Sequence, residues 1–323
     1  MRRTGSRRPA RLPSSDVIRL DAATVLLQWS TGGLAFLWVT SRRREVGLGY
    51  GWLLRGTFAV IAAGGFAAGV AARAEPVREA ASVGVVVVSL AVLALSVVRR
   101  RAGVAGRQAD HDRRSERVAA MTGIERAGGP GGRAAGEVGR ASGEVGRAAG
   151  EVDGEPSLRE FPPVLDLLAP VVGLVGLVAA GVAAGGNDLL AIARILVGAA
   201  FLGSVTDAML LGHWYLVQPG LPRRLLLEQV AWLKWIWPAE VALLLVPTGM
   251  VSVLTGSVDD GWHGMLGWFW IACAVTTLAL CFVTKAALAE RAYSAVMAAT
   301  GLLYLAILTA FGTDLVARAV LAG

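Results

Sequence analysis

Charge is what this chain has least of. Charged residues fill 17% of its 323 positions and apolar ones 55%, against roughly 25% and 45–50% in soluble domains. The shortfall is concentrated in eight apolar runs, at 22–40, 52–72, 80–98, 164–184, 189–217, 225–254, 262–287 and 292–316. Runs of about 18 residues or more read as membrane helices. A water-soluble enzyme is therefore excluded. The sequence predicts an all-α, polytopic helical membrane protein with about eight transmembrane segments in a bundle.

Cysteine and histidine are nearly absent as well. Cys273 and Cys281 stand eight residues apart in one run. That is about 12 Å along a helix axis, too far for a disulfide. Without a CxxC or a Cys/His cluster, no structural zinc site is expected. The three histidines are His111, His213 and His263, and the last two fall at opposite ends of the bundle, which disfavours a bis-histidine haem. No cofactor is strongly implied. The chain also lacks a Walker A loop, GxGxxG, HExxH, GxSxG and the paired aspartates of membrane transferases, so catalysis is not indicated. Lysine occurs twice against 29 arginines, a coding bias of GC-rich bacterial genomes that points to a bacterial cytoplasmic (inner) membrane.

The charge that is present sits mostly outside the runs. The net +7 is carried by residues 1–20 of the basic tail (1–21) and by the connection 99–163, leaving the membrane body neutral. In a membrane protein this reports cytoplasmic loops and anionic headgroups, not nucleic-acid binding. The connections at 41–51, 99–163, 218–224 and 285–291 are basic, whereas 185–188 and 255–261 hold only acids. The positive-inside rule places the first set in the cytoplasm and the second outside, together with the C-terminus. The tail lacks a small-residue cleavage site and reads as retained. Its arginines conflict with a spanning first run. Either the "STGG" at 30–33 breaks that run into a re-entrant piece, or translation starts downstream.

Residues 99–163 divide a three-segment part (22–98) from a five-segment part (164–323). "GEVGRAS", "GEVGRAA" and "GEVDGEP" repeat with a period of seven, but each offers one valine and about two glycines. A coiled-coil seam needs two apolar positions per heptad, and glycine costs roughly 1 kcal/mol in a helix. A flexible cytoplasmic tether is expected, open to a protein partner. Gly65-x-x-x-Gly69 and Gly181-x-x-x-Gly185 read as intramolecular packing faces. Gly49-Tyr50-Gly51 resembles a channel filter in letters only, because it follows three arginines on the inner side. Trp38, Trp52, Trp262, Trp268 and Trp270 fit interfacial belts.

Ionisable residues at membrane depth are costly, about 2.5–3.5 kcal/mol each, and are candidate functional groups. The fifth and sixth runs hold Arg194, Asp207, His213, Glu228, Lys234 and Glu240. A Pro-Gly-Leu-Pro-Arg-Arg turn at 219–224 joins the runs as an antiparallel hairpin. Counted from that turn at 1.5 Å per residue, Asp207 lies level with Lys234 and His213 with Glu228, while Arg194 and Glu240 are offset by about 10 Å. Pro238 is expected to kink the sixth helix and free a carbonyl. Such pairs either fasten the hairpin or handle protons or a small solute, as in a transporter. The alternatives are a redox subunit binding quinone near His213, Trp214 and Tyr215, and a non-catalytic scaffold or assembly factor.

Overall fold

The computed structural model describes residues 21–99, 161–185, 187–246, 249–257 and 260–321, and most of the 99–163 connection lies outside them. The described residues are helical, without strands. The helices are α1 (Ala22–Ser41), α2 (Leu48–Ala72), α3 (Pro76–Val98), α4 (Leu168–Ala184, entered by a 3-10 turn at Pro163–Leu167), α5 (Asp188–Val217), α6 (Arg224–Leu245), the short α7 (Gly249–Leu254), α8 (Met265–Ala289) and α9 (Tyr293–Leu321). Seven of them are long and apolar enough to cross a membrane. Four charges keep α6 out of that set, yet it pairs with α5 along the expected hairpin. The protein is a polytopic all-α bundle.

The first run is an unbroken helix, so the re-entrant alternative fails. Asp21 caps it by accepting from the Ala23 N–H at 3.1 Å, and "STGG" lies in its interior as a packing seam. A methyl built on Gly32 would sit 1.8 Å from the Ala199 carbonyl oxygen, and one on Gly203 2.2 Å from the Gly32 carbonyl carbon. α1 and α5 therefore cross with their backbones in contact, the small-residue mode of membrane helix association. The matched residues ascend together, Gln28 with Ile195 and Thr40 with Asp207, so α1 runs parallel to α5. α1 also packs on α2 and α4 and is the most enclosed of the seven spans. Gly65 and Gly181 face α1 and α5 respectively, which makes them internal packing positions.

The basic connections gather at one end. Arg42 and Arg43 pair with Glu228, and Arg224 pairs with Glu45. Arg223 donates to the carbonyls of Leu288, Glu290, Arg291 and Ala292, closing the α8–α9 turn. At the opposite end, Arg78 binds Asp21, Thr24, Glu79 and the Arg73 carbonyl, and so ties the start of α1 to the α2–α3 turn.

Several expectations need correction. The run 225–254 is two helices, because a proline at 247 has no N–H with which to continue the ladder. Trp270 is buried against α7 and α9 and is a core residue, unlike the exposed Trp262 and Trp268.

The acidic loop before α8 is built around Asp260. Its carboxylate accepts from the backbone N–H groups of Trp262 (2.9 Å), Gly264 (2.8 Å) and Leu266 (2.9 Å), as Gly261, His263 and Gly264 adopt positive φ. Desolvation pushes this carboxyl up, but the N–H donors outweigh it and hold it below the usual carboxylate range. A depressed folded value adds stability that is present above the unfolded value of about 4 and is lost as pH falls through the folded one. Hydrogen-exchange protection of the Trp262, Gly264 and Leu266 amides, corrected for intrinsic rates, should stay constant from neutral pH down to about 4 and collapse below it. In Asp260→Ala it should be low throughout.

Candidate functional site

The six membrane charges named from the sequence do not pair as their depths suggest. Level residues on α5 and α6 point to different neighbours. Asp207 turns toward α1 and α2, where Thr40 and Tyr50 bind it. Lys234 turns the other way, with its Nζ 4.2 Å above the Phe282 ring. His213 is exposed, and its Nδ1 lies 3.4 Å from the Tyr304 hydroxyl on α9. Glu228 is taken by Arg42 and Arg43. Arg194 donates to the carbonyls of Leu243 and Val246, capping the end of α6. The reason is azimuthal: residue counting fixes height on a helix, and the neighbours packed around each helix decide which side chains meet.

Glu240 is fully enclosed and forms the centre of one polar cluster. Neither of its carboxylate oxygens has a hydrogen-bond donor among the described residues. Facing it are the Asp314 carboxyl, within hydrogen-bond reach, and the Arg318 guanidinium, with Arg194 contributing less. Two ionised carboxylates are both acceptors and cannot bond each other, so a contact between them needs one proton. Arg318 binds Asp314 from Nε (2.9 Å) and stands in an ion pair with it through Nη2 (2.8 Å). Gln28 reaches in from α1, where its Nε2 donates to the Ile195 carbonyl (2.7 Å) and its Oε1 finds no donor. Gly198 makes the space. A methyl there would lie 2.8 Å from Arg318 Nη2, 2.8 Å from Gln28 Nε2 and 3.2 Å from Asp314 Oδ1. The cluster thus holds three buried acceptor atoms without donors, and the buried Arg318 Nη2, paired in charge with Asp314, likewise completes no hydrogen bond.

Asp207 is a further buried carboxyl, and it is 0% exposed. Oδ1 accepts from the Tyr50 hydroxyl (2.7 Å) and Oδ2 from Thr40 (2.5 Å). Thr40 in turn accepts from Gln229 Nε2 (2.7 Å). No cationic side chain binds it among the described residues. On the hairpin count Asp207 and Glu240 are about 10 Å apart in height, with Asp207 nearer the basic end.

Two further buried ion clusters were not anticipated. Arg55 of α2 binds Asp166 in bidentate fashion (2.8 and 3.0 Å) and Ser96 of α3 (3.3 Å), while Ser41 also donates to Asp166 (2.9 Å). The other is the Arg78 group described above. Asp314 and Arg318 were overlooked too, although their i, i+4 spacing at the end of the last run is a readable signal. Thr40, Tyr50, Gln28 and Gln229 carry none, since neutral polar residues in an apolar run are ordinary. No group of three or more metal-ligating side chains occurs among the described residues. The chain matches no protein-family model, no curated protein and no solved structure, so its chemistry rests on these residues alone.

Proposed function

We propose that this multi-pass membrane protein binds and passes protons through the Glu240–Asp314 pair. The supporting observation is the shortage of donors at Glu240: both carboxylate oxygens are buried and unmatched, beside a second carboxyl that needs a proton to bond with it. A shared proton supplies the missing donor and relieves the repulsion between two adjoining carboxylates. Release toward either face restores the charged state, and Gln28 and Arg318 remain as polar lining. Glu240→Gln should fold, because its amide adds a donor where one is missing.

Valinomycin-driven proton uptake into proteoliposomes, read by an internal pH dye, is the test. Wild type should exceed empty liposomes, and Glu240→Gln should fall to their level. A monodisperse Glu240→Gln protein with wild-type uptake, or a wild type without uptake, would overturn the reading.

A further inference from the structure

The Asp207 group has the parts of a second proton site. It joins three helices through neutral side chains: Tyr50 of α2 and Thr40 of α1 donate to the carboxyl, and Gln229 of α6 donates to Thr40. No charged side chain faces Asp207 from these elements; the other titratable group in contact is the Tyr50 phenol, whose own neighbour is Tyr215. A fully enclosed carboxylate without a cation is costly at this depth, and a proton removes that cost. Gln229 Oε1 is buried with no donor, which leaves the chain of hydrogen bonds incomplete at its outer link.

We infer that Asp207 is a proton-binding site reached from the basic end of the bundle through Gln229 and Thr40, a relay whose polarity reverses when the carboxyl is charged or neutral. The inference rests on the proton-handling reading. In the charged state Gln229 donates to Thr40, and Thr40 donates to Asp207. Thr40 keeps a second lone pair open. A hydronium ion admitted past the Gln229 amide to the buried Thr40 gives its proton to Oγ1 as the hydroxyl's own proton moves to Asp207 Oδ2. One water leaves, the hydroxyl is regenerated, and the carboxyl becomes neutral. Asp207 then donates to Thr40. A half-turn of the Gln229 amide brings Oε1 round to accept from Thr40. Each state leaves one amide atom unmatched, so neither polarity is locked. Gln229 adjoins Glu228, which is bound by Arg42 and Arg43 at the basic end, so the outer link of the relay lies nearest that face.

The test is infrared spectroscopy of the reconstituted full chain after a pH jump. Wild type should gain a carboxylic C=O band that is missing in Asp207→Asn and retained in Glu240→Gln. Thr40→Val and Gln229→Leu should keep the band at equilibrium but slow its appearance on the order of 10²-fold, the lower end of what a positioned proton-transfer group contributes. Thr40→Ser, which keeps the hydroxyl, should behave as wild type and shows that fold is not the variable. An unchanged band in Asp207→Asn, or wild-type rates in both relay variants, would overturn the inference. The readout is protonation and not flux, so failure of the Glu240 uptake test leaves this result separate.

Discussion

Leucine at Gly203 should give no folded protein, and alanine should already be severe. A Cβ at Gly203 meets the Gly32 backbone at 2.2–2.7 Å, and a Cβ at Gly32 meets Ala199 O at 1.8 Å. These are main-chain atoms of the two most central helices and cannot swing aside like a side-chain tip. Overpacking usually costs about 1–3 kcal/mol, and alanine at either position should fall at or beyond the top of that range. Thermal unfolding in detergent with gel filtration measures it: both alanine variants should show a sharply lowered transition or aggregate. The control is Gly56→Ala, where nothing lies within 4 Å. There the gain in helix propensity, up to about 1 kcal/mol, should appear undiminished. If Gly203→Ala behaves like Gly56→Ala, the α1–α5 seam is wrong.

Asp166→Ala should be nearly as damaging, through charge instead of volume. The Arg55 and Asp166 side chains are 3% and 1% exposed, and their contacts join α1, α2, α3 and the turn into α4. Removing one partner of a buried pair costs about 3–5 kcal/mol, because the other charge stays buried after losing the carboxylate that met it. Replacing both is expected to be far milder. Arg55→Met with Asp166→Leu should recover most of the loss in the same unfolding assay. If the double variant is as unstable as the single, the pair contributes something other than mutual neutralisation.

The contrast between the two sites shows what a sequence like this discloses. Apolar run length gave the order of the eight long helices, though not the short α7 split from the sixth run, and even α6, with Glu228, Lys234 and Glu240 inside it, was placed by its turn. Height was legible too. The same count that sets Asp207 level with Lys234 also sets Arg194 level with Val246, whose carbonyl it binds. Rotation about the helix axis was not legible, because every face of these helices is apolar. With no polar side to orient it, Asp207 gives no sign that it looks toward Thr40, 167 positions away, instead of toward Lys234. Glu240 was visible as a charge, but its partners Asp314 and Arg318 sit on the last helix, and nothing in local spacing connects α6 to α9.

The parallel contact of α1 with α5 also sets an order of assembly. α1 leaves the ribosome with α2 and α3, and Arg78 can fasten it to them at once. Its other flank, with Gly32, Gln28 and Thr40, has no surface to meet until α5 is made. At about 5–20 residues per second, that wait is on the order of ten seconds or more. During it a three-helix intermediate carries a bare glycine groove and unmatched polar side chains into the lipid. The central helix of the bundle is therefore synthesised well before the α5 surface it packs on and is among the last to be enclosed, and biogenesis depends on that early part keeping clear of other partners until the chain closes on itself.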